Sequence, residues 1–153
     1  MRKFFVIFVC LLVVGCEVED NDDDINYDSN WETLPAPVAP DTMIKHDDLY
    51  FVNEKTGWLV TRNGQIYNTS DGGESWGLQF EDDIYWRCVG FADELHGWAG
   101  NKLGDDGKLL YQTNDGGESW TESSFGWHVN RIRFLSGQLG YASGQTVYKY
   151  FSD

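Results

Sequence analysis

Three regimes of hydrophobic and polar residues follow one another along the chain. Phe4 to Val14 is an unbroken apolar run behind Arg2 and Lys3, too short to span a bilayer, since a crossing helix needs ~20 such residues. Glu17-Val18-Glu19-Asp20-Asn21-Asp22-Asp23-Asp24 and the polar residues up to Asn30 offer almost nothing to bury, which predicts a solvated tether. From about residue 44 onward, apolar and polar positions alternate in short runs rich in aromatic and β-branched residues, with Gly, Asn and Asp between them. That pattern predicts meandering β-strands, and no stretch carries a helical period.

The strand region repeats itself. Thr69-Ser70-Asp71-Gly72-Gly73-Glu74-Ser75-Trp76 returns as Thr113-Asn114-Asp115-Gly116-Gly117-Glu118-Ser119-Trp120. Gly57-Trp58, Gly97-Trp98 and Gly140-Tyr141 form a second column, and Leu49-x-Phe51, Val89-x-Phe91 and Ile132-x-Phe134 a third. Tyr67, Tyr111 and Tyr148 mark a fourth. Each unit then reads as four strands: the first over Asp48 to Asn53, Arg87 to Asp93 and Arg131 to Ser136, the second from Gly57, Gly97 and Gly140, the third around the three Tyr, and the fourth from Trp76 and Trp120. The third unit ends without a fourth strand of its own. Asp28-Ser29-Asn30-Trp31-Glu32-Thr33-Leu34 is a worn copy of the segment running into Trp76.

The eight-residue segments resemble the Asp-box of bacterial neuraminidase-type repeats, and the order of columns is similar to the repeats of the photosystem II assembly and stability factor family. The resemblance covers about residues 44 to 150 and implies an all-β fold. The expected architecture is a partial β-propeller of three blade-like, four-stranded antiparallel repeats, units about 44–80, 87–125 and 131–153, with residues 31–34 as an N-terminal strand completing the last. Within the box, Ser70, Asp71, Gly73, Ser75 and Trp76, and in the second copy Asp115, Gly117, Ser119 and Trp120, are expected to be structural. The aspartates accept turn amides, glycines supply positive φ, serines bond locally, and tryptophans bury their faces between layers.

The N-terminus adds an address. Val13-Val14-Gly15-Cys16 resembles a bacterial lipobox, in which Cys16 is acylated and opens the mature chain, with Val13 where Leu is preferred. Residues 1–15 are then a lipoprotein signal, 16–30 an acidic tether and 31–153 the repeat domain. The acidic block resembles the export signal of surface lipoproteins of the Bacteroidota, which implies an anchor in the outer membrane or at the cell surface; a plain spacer is the alternative. With Cys10 removed and Cys16 lipidated, Cys88 is left to pack in a strand, with no partner for an intrachain disulfide. Asp20, Asp22 and Asp24 do not make a calcium loop, because Ile25 stands where the loop needs Gly.

Charge and composition exclude several activities. Eleven Lys and Arg against 25 Asp and Glu leave a net charge of −14, which argues against nucleic acid as a partner. A sialidase needs an arginine cluster for the substrate carboxylate, and only Arg62, Arg87, Arg131 and Arg133 remain after the signal. Arg87 and Arg131 open corresponding first strands, which predicts that they share a face. His46, His96 and His128 lack metal-ligand spacing, and no phosphate loop, dinucleotide fingerprint or nucleophile elbow occurs. No metal or other cofactor is expected.

The sequence therefore points to binding. Propeller ligands dock on the loops leading from a fourth strand into the next first strand, here Asp82 to Arg87 and Gly126 to Arg131. Tyr85, Trp86, Arg87, Trp127, His128 and Arg131 form the expected contact patch, since aromatic residues and Arg dominate binding hot spots; the alternative is that both Trp cap blade edges. The expected function is a lipid-anchored extracytoplasmic scaffold without catalysis, holding a protein or a glycan, with a sialidase-like fragment as the alternative. Three blades do not enclose a propeller channel, which usually takes 4 to 8, so the expectation is a truncated ring or a homodimer of six blades.

Overall fold

The computed structural model describes residues 31–37, 46–102, 110–124 and 128–152. The signal, Cys16, the tether and Trp127 lie outside the described residues. The chain divides into two units, Met1–Glu32 and Thr33–Asp153, and the second holds every strand among the described residues. In chain order these are β1 (His46–Phe51), β2 (Gly57–Thr61), β3 (Gln65–Thr69), β4 (Gly77–Glu81), β5 (Trp86–Phe91), β6 (Gly97–Asn101), β7 (Leu110–Thr113), β8 (Thr121–Glu122), β9 (Val129–Ser136), β10 (Leu139–Gly144) and β11 (Val147–Phe151).

They form three antiparallel meanders, β1-β2-β3-β4, β5-β6-β7-β8 and β9-β10-β11. The fold is all-β, and the sheets match the three repeat units as blades of a partial propeller. The first strands stand side by side, β1 against β5 and β5 against β9. The register of each first pair comes from the repeat columns: Phe51 lies opposite Gly57, Phe91 opposite Gly97 and Phe134 opposite Gly140. Glycine is required there because the phenylalanine ring folds over it. A Cβ on Gly57 or Gly140 would sit 2.7 Å from that ring.

Stacked aromatics join sheet to sheet. Trp58 of β2 lies flat on Phe91 of β5, ring centroids 3.4 Å apart and 7° from parallel. Trp98 of β6 repeats this on Phe134 of β9, at 5.4 Å and 22°. The box tryptophan meets the same phenylalanine edge-on, Trp120 against Phe91 and Trp76 against Phe51. Between the first and second sheets the core holds Trp58, Val60, Ile66, Trp86, Val89, Phe91, Ala99 and Tyr111. Between the second and third it holds Cys88, Leu110, Val129 and Ile132, with Trp98 and Phe134 packed on it. The middle sheet thus packs on a neighbouring sheet through both faces, and each outer sheet packs on the middle one through one face.

The N-terminal strand departs from expectation. Residues 31–37 contain no strand, and the third sheet ends at β11. Leu34, Pro35 and Ala36 instead line a cleft with Leu49, Phe51, Leu59 and Trp76 of the first sheet. The Trp76 indole N–H donates to Pro35 O at 3.1 Å. Free apolar surface beside Phe51 and Trp76 attracts the segment, whereas β11 lies two sheets away.

Replacing Trp58, 1% exposed, with Ala is expected to cost about 3–5 kcal/mol by urea denaturation. Leu135→Ala, at a position 72% exposed, should stay within about 0.5 kcal/mol. Similar losses for the two would remove the stack from its place as the sheet-to-sheet joint.

Candidate functional site

The two ends of the strands carry different chemistry. At one end, each box turn closes on itself. The Thr69 hydroxyl donates to Asp71 Oδ1 at 2.7 Å and accepts from the amides of Gly73 and Asp71 at 3.0 and 3.3 Å. The Ser75 amide and hydroxyl donate to the two oxygens of Asp71, at 2.9 and 2.6 Å. Thr113, Asp115, Gly117 and Ser119 repeat every one of these bonds. Gly72, Gly73, Gly116 and Gly117 all have φ between 74° and 97°, a region that side chains disfavour. The carboxyls of Asp71 and Asp115 are held down to about 2, first by the serine hydroxyl, then by the serine amide and the threonine hydroxyl. They are committed acceptors in a turn. Ser70 is exposed, and the hydroxyl that organises the first box belongs to Thr69, 1% exposed and one residue earlier.

The opposite end gathers cations. Tyr85, in the loop from β4 to β5, lies under three positive groups: Arg62 Cζ at 5.6 Å, Arg87 Cζ at 5.3 Å and Lys102 Nζ at 5.0 Å from the ring centroid. Arg62 and Lys102 follow β2 and β6 at equivalent positions, so the repeat itself converges them on one ring. Cation–π attraction offsets part of their repulsion, at about 0.5–1 kcal/mol each when exposed. Among the described residues none of the three is paired with a carboxylate. Beside them a cleft of about 310 Å³ is lined by Arg87, Asn101, Lys102, His128, Asn130 and Gln145. The Arg87 Nε is buried and has no hydrogen-bond acceptor among the described residues.

Of the residues expected to form a contact patch, Tyr85, Arg87 and His128 come together on this rim. Trp86 does not join them. It is fully buried, edge-on to Phe80 and Tyr111 in the core, because β5 begins at Trp86 and a bulge between Trp86 and Cys88 turns its face. Arg131 also points elsewhere. It aligns with Cys88 in the repeat, whereas Arg87 is the extra residue of the bulge and lies over Tyr85, so the two arginines part, which corrects the expectation of a shared face. Arg131 and Arg133 converge from β9 on Asp48 Oδ1 of β1, at 3.3 and 3.6 Å. Asp48, 7% exposed, also accepts the Val89 amide at 3.2 Å, tying the three first strands together. Cys88 is buried between sheets and its thiol is pushed up to about 12 by that burial. Arg62 and Lys102 escape a reading confined to the fourth-to-first-strand loops. Their shared place four residues after Trp58 and Trp98 is the signal that finds them.

The profile of a family described as photosynthesis system II assembly factor YCF48 matches residues 24–123. Among solved structures, YCF48 from Cyanidioschyzon merolae is similar, with 22% identity, a TM-score of 0.56, and coverage of 76% of this chain and 40% of that one. So is YCF48 bound to D1 peptide, with 20% identity, a TM-score of 0.53, and coverage of 74% and 42%. The chain thus spans about two fifths of either structure's length. No curated protein sequence matches.

Because Asp71 and Asp115 are more acidic folded than unfolded, the stability they add is complete above the ordinary aspartate value of 3.8 and is lost as pH falls through about 2. Carbon-detected NMR titration should find both carboxylates still ionised at about pH 3. Midpoints near 3.8 would contradict the closed turn.

Proposed function

Since the chain belongs to the photosynthesis system II assembly factor YCF48 family, we propose that it is a non-catalytic binding module, held outside the cytoplasm by a lipid on Cys16, whose cationic rim grips an acidic segment of a protein partner. The observation that carries this reading is the rim itself. In a chain of net charge −14, three cations converge on Tyr85 without carboxylate partners among the described residues, beside a cleft that Arg87 and Lys102 line. Like charges brought so close repel one another, and an anionic ligand relieves that cost while using donors already in place.

A protein partner is supported by a similar YCF48 structure bound to D1 peptide. An extended segment fits a rim of loop ends, with a carboxylate in the cleft between Arg87, Lys102 and His128 and an apolar or aromatic group over Tyr85. The acidic tether after Cys16 is repelled by anionic headgroups, which supports a domain held off the membrane surface with its rim free to engage a partner.

A photo-crosslinking amino acid at Gln145, which lines the cleft, should capture specific acidic segments from the native membrane. Capture should fall at least about tenfold, more than ~1.4 kcal/mol, in Arg62→Gln/Arg87→Gln/Lys102→Gln, and should weaken with added salt. Undiminished capture by the triple variant would sink the rim reading. For the anchor, Cys16→Ser should abolish radiolabelled palmitate incorporation and move the chain out of the membrane fraction. Unchanged labelling would rule out Cys16 as the acylated residue.

A further inference from the structure

The two joints between sheets use the same repeat positions and are not packed alike. At the first joint Trp58 and Phe91 are 1% and 0% exposed, with their rings 3.4 Å apart. At the second, their counterparts Trp98 and Phe134 are only half-buried, and their rings stand 5.4 Å apart at 22°. The strand registers show what differs. Trp86 lies opposite Asn101, four residues after Gly97, and Val129 lies opposite Gly144, four residues after Gly140. Val129 therefore stands where the first joint has a fully buried indole.

The smaller side chain leaves room. A cavity of about 190 Å³ lies between the second and third sheets, lined among the described residues chiefly by Trp98, Leu110, Val129, Phe134, Tyr148 and Tyr150. An apolar cavity of about 150 Å³ stays dry and takes up benzene, so this one has space for a ring. The surroundings of the first joint's indole are kept. Trp86 meets Tyr111 edge-on, at 5.2 Å and 85°, and Tyr148 is the counterpart of Tyr111, since Ala142 pairs with one and Ala99 with the other. Tyr150 adds a further ring where the first of these sheets has Thr113. It stands 5.1 Å from Trp98 and 5.4 Å from Phe134, inclined at 56° and 71°. Ring faces and edges set at such angles favour a planar aromatic guest over an aliphatic one of the same bulk.

We propose that this cavity binds a small, uncharged, planar aromatic molecule of indole size, in the place that Trp86 fills at the first joint. Burial of the guest's apolar surface drives binding, whereas an ionised guest would lose its hydration among the rings. The guest completes the packing between the second and third sheets, so occupancy stabilises the fold. The inference is independent of the cationic rim.

The probe is indole, titrated into the full chain with isotope-labelled isoleucine, leucine and valine methyls. Shifts at Leu110, Val129 and Ile132 should saturate with a dissociation constant below about 1 mM, while Val60 and Ile66 at the first joint stay in place. Cyclohexanol, without a π-face, should bind at least about tenfold more weakly. Val129→Trp, which rebuilds the first joint, should abolish the shifts at Leu110 and Ile132 and raise the melting temperature. If that variant does not fold, Ser123→Trp blocks the cavity from a half-buried lining position just after β8, and should abolish the shifts with unchanged circular dichroism. The proposal is overturned by the absence of saturable shifts in the wild-type chain, by equal binding of cyclohexanol, or by undiminished binding to a folded blocked variant. Indole binding that appears only after Trp127→Ala would overturn it too, since the chain would then fill the cavity itself.

Discussion

Everything in this fold is arranged around a flat tryptophan on a phenylalanine in the neighbouring sheet. Four-stranded meanders of this length have no core of their own, and they become stable by stacking face to face. The Trp58–Phe91 and Trp98–Phe134 pairs supply large apolar area at the joint, and the glycine before each aromatic lets the phenylalanine of its own sheet fold inward. Short strands of modest apolarity suffice because three residue types, spaced by the repeat, do most of the packing. Asp48 adds an electrostatic tie at the first strands, buried and gripped by two arginines from β9. A lone carboxylate there would be costly, so the arginines hold the first and third units in fixed relation.

The repeat columns made most of this legible from sequence. Period-two alternation and the recurring Gly-aromatic, Phe and Tyr positions locate the sheets, and the duplicated box locates two turns whose bonding is the same in both. Trp86 was not legible: its residue type and its place beside a loop favour binding, and a one-residue bulge, invisible in the alternation, turns it into the core. The direction of Arg131 is hidden for a simpler reason. Matching by strand start pairs it with Arg87, whereas matching by the Ile132-x-Phe134 column pairs it with Cys88 and sends it to the other face. Arg62 and Lys102 were visible as a repeat pair, but their convergence on Tyr85 depends on how the sheets fan, which no single unit records.

The box end and the rim end therefore do different work. Thr69, Asp71 and Ser75 satisfy one another within a single turn, as do Thr113, Asp115 and Ser119, so each box holds its geometry without help from a ligand. Among the described residues the rim cations have no carboxylate partner, and they gather instead on the Tyr85 ring.

Because each box closes its own turn, the exposed side chains at the other end carry little structural duty. Residues such as Tyr85, Arg62 and Lys102 can be exchanged for others without disturbing a stacked ring or a paired strand. Specificity in such a scaffold can drift quickly while its architecture stands still, and two proteins with superimposable sheets can recognise chemically unrelated partners.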